Sequence, residues 1–139
     1  MKRNEPVTHI MTRDVDTVHT GMKVSEVRQL LAEKPYHHVP VVSGKKLIGI
    51  ISATDMVRLS LALYGADQRA VDAMLDANHT IDGVMSKELA TIKSKDTVRT
   101  TAEKLSDGTF HALPVVDDDG NLEGIVTSTD VIKYLLDQY

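Results

Sequence analysis

The second half of this chain repeats the first. Met11-Thr12, Thr17-Val18, Val24, Leu31, His37-His38-Val39-Pro40-Val41-Val42 and Gly49-Ile50-Ile51-Ser52-Ala53-Thr54-Asp55 recur as Met85-Ser86, Thr91-Ile92, Val98, Leu105, His111-Ala112-Leu113-Pro114-Val115-Val116 and Gly124-Ile125-Val126-Thr127-Ser128-Thr129-Asp130. The spacing holds from the methionine to the proline, then slips by one residue in the turn before the glycine. A repeat whose one indel falls in a turn means two copies of one folded unit. Polar residues at matched places therefore come in pairs.

Composition narrows what those copies can be. At 139 residues the chain fits one ordinary domain, or two half-domains sharing a core. Hydrophobic residues make up 42% and charged residues 26%, which predicts a soluble globular protein. Aromatics are only 4%, so the core must be built from Val, Ile, Leu, Ala and Met. A net charge of -4 argues against nucleic acid as a partner. Cysteine is absent, which excludes disulfides and thiolate catalysis and fits a reducing compartment. No apolar run approaches the ~20 residues of a membrane span, and residues 1–6 lack the apolar stretch of a secretory signal. A cytoplasmic location and no membrane partner are expected.

Each copy has the same grammar. A short extended piece, Asp16–Val18 or Ala90–Ile92, precedes a helix. The first helix carries Val24, Val27, Leu30 and Leu31 at helical spacing. Val98, Ala102 and Leu105 mark the same face in the second, with Asp96 as its expected N-cap. Val39–Val42 and Leu113–Val116 read as buried strands. Turns at Ser43–Lys46 and Asp117–Asn121 join them to Leu47–Ile51 and Leu122–Val126. Helices at Met56–Leu63 and Val131–Leu136 follow. The expected fold is thus α/β (α+β), two βαββα repeats whose small sheets are covered by helices. Residues 1–60 hold a loose tail (1–6) and the first repeat, 61–80 a connecting segment, and 81–139 the second repeat. Ala66–Leu75 has no counterpart and reads as an amphipathic helix, packed on its own chain or serving a dimer interface.

The strongest chemical signal lies where strand turns into helix. Ser52 to Asp55 and Thr127 to Asp130 have the spacing of a capping box. The same geometry suits a ligand. A helix N-terminus presents free N–H groups to phosphate, Ser and Thr hydroxyls add donors, and an Asp accepts both hydrogens of a ribose diol. The two readings hold together if the cap is built around a ligand. Gly49 and Gly124 allow a close approach of backbone or ease strand packing. His37-His38 and His111 come just before the strand prolines. A lone strand histidine is most often a satisfied polar group, but its repetition favours a shared cleft. Thr17 and Thr91 open extended segments and read first as ordinary strand formers, although the backbone groups of such a segment can also read the edge of an adenine. Asp117-Asp118-Asp119-Gly120 lacks the ligand pattern of a calcium loop and reads as a turn. His9, His19 and His79 are scattered and expected to face solvent. No nucleophile–base pair and no metal set is present, so neither an enzyme nor a metal site is expected.

The ordered set of Met-Ser/Thr, His-x-x-Pro-Val-Val and Gly-Ile-Ile/Val-Ser/Thr-x-Thr-Asp, present twice, resembles the cystathionine-β-synthase (CBS) domain family. The resemblance covers about residues 7–60 and 81–139. It implies a tandem pair with pseudo-two-fold symmetry and two clefts between the repeats. Such clefts bind adenosine compounds (AMP, ADP, ATP or S-adenosylmethionine) as regulatory ligands, with no cofactor required. By this resemblance Asp55 and Asp130 hold ribose hydroxyls, and Ser52, Thr54, Thr127 and Thr129 meet phosphate or ribose. Thr17-Val18 and Thr91-Ile92 contact the base, largely through backbone. His37, His38 and His111 border the phosphates, with Pro40 and Pro114 beside them. Family members often carry a basic residue right after the histidine. Here the positions are His38 and Ala112, which predicts unequal clefts. The resemblance further implies a homodimer and an unknown regulated protein on which the module acts in trans. The alternative is a protein–protein interaction module whose clefts hold no nucleotide.

Overall fold

The computed structural model describes residues 4–139. The chain forms two compact units, each with its own apolar core. Neither unit is continuous in sequence. One combines Asp16–Gly44 with Ile48–Leu89. The other combines the segment ending at Val15 with Lys45–Leu47 and Ala90–Tyr139. For brevity they are the first-repeat unit and the second-repeat unit.

In the first-repeat unit, α1 (Val24–Glu33) buries Val24, Val27 and Leu31. The hairpin of β1 (His38–Ser43) and β2 (Lys46–Ser52) follows. Gly44 takes φ 62°, the left-handed conformation that a two-residue hairpin turn requires. Val18 adds a parallel bridge to Val41. Then come α2 (Ala53–Ser60) and a 3-10 turn at Leu61–Leu63.

The unmatched segment forms α3 (Gln68–Asn78), which buries Val71 and Leu75 in the same core as α1. Arg28 donates to both carboxylate oxygens of Asp72, at 2.6 and 3.2 Å. Asp76 accepts from Ser25 N at 2.9 Å and from Ser25 Oγ at 2.6 Å. The helix therefore packs on its own chain. The short α4 (Ile81–Val84) and Met85 complete this core, and Ser86 bridges Ile50 as an added antiparallel edge.

The second-repeat unit has a three-stranded sheet. β3 (Ile92–Lys93) runs parallel to β4 (Ala112–Val116), and β4 pairs antiparallel with β5 (Leu122–Thr127). α5 (Val98–Leu105) lies between β3 and β4 in sequence, and α6 (Ser128–Asp137) follows β5. Val7, in a 3-10 turn (Val7–His9), and Met11 enter this core with Ile92, Leu113, Val115 and Val126. Thr12 bridges Ile125 just as Ser86 bridges Ile50.

Three expectations need correction. Thr97, not Asp96, caps α5: its hydroxyl accepts from Thr100 N at 3.1 Å, while Asp96 accepts from Lys93 N in the preceding turn. On α5 the buried place expected of Ala102 belongs to Thr101. Its hydroxyl is satisfied by the Thr97 carbonyl at 2.9 Å, so burial is cheap. Of the expected loose tail, residues 1–3 lie outside the described residues, but Glu5 O accepts from Val98 N at 2.8 Å and Pro6 bridges Thr97. No helix among the described residues is long and apolar enough to cross a membrane.

Candidate functional site

Three segments meet where β1 begins and β2 ends. Val18 N donates to Pro40 O at 3.0 Å, and Val18 O accepts from Val42 N at 2.9 Å, which brings Thr17 alongside the start of β1. His37 O accepts from Ala53 N at 2.8 Å, which sets His37 beside the N-terminus of α2. Tyr36 Oη donates to Asp16 Oδ2 at 2.7 Å. Asp16-Thr17, Tyr36–His38 and Ser52–Asp55 thus share one edge of the first-repeat unit.

The second-repeat unit builds the same edge from matched residues. Ile92 pairs with Val115, placing Thr91 near the start of β4. Ser128 N donates to His111 O at 3.0 Å. Thr91, His111 and Thr127–Asp130 come together as Thr17, His37 and Ser52–Asp55 do.

Both capping boxes are closed. Ser52 Oγ accepts from Asp55 N and Asp55 Oδ2 accepts from Ser52 N, each at 3.0 Å. Thr127 Oγ1 accepts from Asp130 N at 3.2 Å, and Asp130 Oδ2 accepts from Thr127 N at 2.9 Å. The cap uses Oδ2 of each carboxylate and not Oδ1. Each Asp is half-buried, and Thr54 and Thr129 beside them are exposed. The edge thus offers hydroxyl donors, a fixed carboxylate and the first N–H groups of a helix within one short segment.

The other expected residues divide by burial. His37 and His111 are exposed, and His38 is half-buried where its match Ala112 is buried. Thr17 is exposed and Thr91 half-buried. Val18, Ile92, Pro40 and Pro114 are buried, so their side chains support the sheet. Both backbone groups of Val18 serve the ladder.

Three further residues belong to these edges: Asp16, Tyr36 and Lys104. Partial burial, reinforced by the hydrogen bond to Asp16 and by its charge, pushes the Tyr36 phenol well above its ordinary range. Lys104 Nζ donates to Thr91 O at 2.7 Å. Aligning the two halves carries the signal for all three: Asp16 matches Ala90, Tyr36 matches Phe110, and Lys104 matches Leu30.

A groove of about 380 Å³ lies elsewhere, between α1 and α2 of the first-repeat unit. Leu31, Met56, Val57, Leu61 and Tyr64 line it, with Arg28 among them. None of the expected ligand residues lines it. Among the described residues no group of three or more His, Asp or Glu is placed to hold a metal.

Comparison with known proteins agrees with the duplicated architecture. The CBS domain model matches residues 7–62 and again 81–137. Protein MJ1225 of Methanocaldococcus jannaschii is 30% identical over 94% of this chain and 47% of its own length. Its crystal structure superposes with a TM-score of 0.80 at 29% identity, covering 97% of this chain and 49% of that one. Homoserine O-acetyltransferase of Methanohalobium evestigatum is 28% identical over 93% of this chain and 24% of its own length. The chain therefore spans about half of the first relative and a quarter of the second. The CBS domain pair of protein MJ0100, solved in complex with 5′-methylthioadenosine and S-adenosyl-L-methionine, superposes with a TM-score of 0.78 at 26% identity. That match covers 98% of this chain and 99% of the pair.

Proposed function

The chain belongs to the CBS domain family as a tandem pair, and from that premise we propose that it is a regulatory module that senses adenosine-containing small molecules and modulates a partner protein in trans. The observation that carries this reading is the doubled edge. In each unit a helix N-terminus, a half-buried Asp, an exposed Thr and an exposed His converge with an extended Thr segment. One such edge is explained by helix capping. Two with matched polar residues favour a matched ligand. The complex of the MJ0100 pair supports adenosine as the ligand class.

In this reading Asp55 and Asp130 hold ribose hydroxyls. Ser52, Thr54, Thr127 and Thr129, with the helix N–H groups, meet ribose or phosphate. Thr17 and Thr91 face the base, and His37, His38 and His111 border the phosphates. The ligand is AMP, ADP, ATP or S-adenosylmethionine, and the module binds it without turning it over. The module works in the cytoplasm as a homodimer.

One observation favours a second reading. In both capping boxes the hydroxyl and the carboxylate already serve backbone N–H groups of their own helix start, the role they would have in a pure interaction module. Thermal shift separates the two. A ligand at 100 times its dissociation constant adds roughly 2.7 kcal/mol to stability. A raised melting temperature with AMP, ATP or S-adenosylmethionine, confirmed by calorimetric titration, is the expected result. No shift with any of them would overturn the sensing reading in favour of the interaction module.

A further inference from the structure

We infer that Asp16, positioned by Tyr36, makes the first-repeat site selective for a purine bearing an exocyclic amino group, while the second-repeat site lacks this selectivity. The inference rests on the adenosine-binding reading above and deepens it.

The Tyr36–Asp16 bond joins residues twenty apart in sequence, at 2.7 Å. At the matched places stand Phe110 and Ala90, so donor and acceptor are lost together. Losing one alone would have left a phenol or a carboxylate without its partner. The second-repeat unit builds the same sheet and the same cap without the pair, so the fold does not require it. Asp16 is exposed and directly precedes Thr17, the residue assigned to the base. A polar pair that the fold does not need, kept at the mouth of one site only, fits a role in reading the ligand.

The chemistry is specific. An ionised carboxylate is acceptor-only. Tyr36 takes one of its oxygens and restrains the side chain. Because its phenol is held above the ordinary range, Tyr36 stays a donor at any physiological pH. The carboxylate then accepts from the 6-amino group of adenine and repels the 6-keto oxygen of hypoxanthine. Carboxylates accept from base amino groups in this way elsewhere. For a single, exposed acceptor the effect is about tenfold in affinity.

The other site reads differently. Ala90 offers no acceptor, and the Phe110 ring is 41% exposed. An aromatic face stacks any base. Lys104, a donor only, sits on the Thr91 carbonyl at 2.7 Å, where the first repeat has Leu30. Nothing in this set prefers an amino group to a keto oxygen.

The test is a calorimetric titration of the whole chain with AMP and with IMP. Histidine ring NMR signals assign each binding event, His37 and His38 reporting one site and His111 the other. In the wild type AMP should bind about tenfold tighter than IMP at the site reported by His37, and the two should bind about equally at the other. Asp16→Ala with Tyr36→Phe installs the residues the second repeat already carries. It should abolish the preference at the first site by weakening AMP there, while IMP, freed of the carboxylate's repulsion, binds no more weakly than before. Ala90→Asp with Phe110→Tyr should create a preference at the second. Equal AMP and IMP affinities at both wild-type sites would overturn the inference without any variant. So would a parallel loss of AMP and IMP in the double variant. A wild type that binds neither nucleotide, nor S-adenosylmethionine, would overturn the sensing reading itself, a distinguishable outcome.

Discussion

Met85 lies across Gly49: a β-carbon built on that glycine would stand 2.5 Å from the Met85 sulfur and 2.8 Å from its Cγ. Met11 covers Gly124 in the same way, where a β-carbon would meet Met11 Sδ at 2.9 Å and Thr12 O at 2.6 Å. The methionine that opens each repeat thus packs on the glycine strand of the other repeat. Two backbone hydrogen bonds fasten each contact, Ser86 with Ile50 at 2.9 and 3.1 Å and Thr12 with Ile125 at 2.9 and 3.0 Å.

The two glycines should respond differently to enlargement. Gly49→Ala meets only side-chain atoms, and overpacking of this kind costs about 1–3 kcal/mol. Met85→Ala opens room for that methyl group, so the double variant should be less destabilised than the sum of the singles. Gly124→Ala meets a backbone carbonyl held by its own hydrogen bonds. Met11→Ala cannot move that carbonyl and should rescue little. Urea unfolding of the four single and two double variants reads this directly. Equal rescue at both glycines would contradict the packing described.

Acid should weaken the attachment of α3. Partial burial is the largest single influence on Asp76 and opposes its charge. The side-chain and backbone bonds from Ser25, with the charge of Lys23, together outweigh it and bring the carboxyl below its ordinary 3.8. A depressed folded value means that the unfolded chain takes up the proton first as pH falls. The stability from Asp76 is therefore full above the ordinary aspartate range and is lost as pH drops through the lower folded value. Asp76→Ala should lower the melting temperature near neutral pH, and the gap to wild type should narrow below about pH 4. A gap of constant size down to the acid limit of folding would contradict this.

The elements were legible because both copies obey the same periodicity. Helical spacing from Val24 to Leu31 and the β-branched runs at Val39–Val42 and Leu113–Val116 each fall in the element they predict. The capping boxes were legible because their spacing is itself the geometry. The exchange of entry segments was not. Val7 and Met11 have the same local pattern whichever core they enter, and only long-range packing assigns them to the second-repeat unit. The Tyr36–Asp16 pair was hidden for a related reason. A hydrogen bond across twenty residues leaves no period, and only the paired change to Phe110 and Ala90 marks it.

Removing the two carboxylates separates capping from binding. The boxes have nearly the same bond lengths, so Asp55→Ala and Asp130→Ala, each losing the reach-back bond to its N-cap N–H, should cost similar stability, about 1 kcal/mol each. Their effects on AMP should differ. The Asp55 edge carries half-buried His38, a group able to take a proton and face phosphate, where the other edge carries buried Ala112. Asp55→Ala should therefore remove the tighter site and Asp130→Ala the weaker one. Urea unfolding and calorimetry on the same preparations give both quantities. Equal affinity losses would sink the idea of unequal sites.

The repeat also duplicates a surface. Val57, Leu61 and Tyr64 match Ile132, Leu136 and Tyr139, and all six are exposed, the two tyrosines at 95% and 97%. Val57 and Leu61, and likewise Ile132 and Leu136, are four residues apart toward the ends of α2 and α6, and each tyrosine follows just past its helix. Exposed apolar residues scattered singly need no explanation, but a stripe retained at three matched places in both copies marks a surface meant to be covered. The proposed homodimer would cover them, a second copy of the chain supplying the same stripes. The groove beside Val57, Leu61 and Tyr64 gives the first-repeat stripe a recess for a partner side chain. Leu61→Lys combined with Leu136→Lys should halve the mass measured by light scattering while leaving the circular dichroism spectrum unchanged, because neither side chain belongs to a core. A wild type already monomeric at tens of micromolar, or a variant that stays dimeric, would show that these stripes are not the dimer interface.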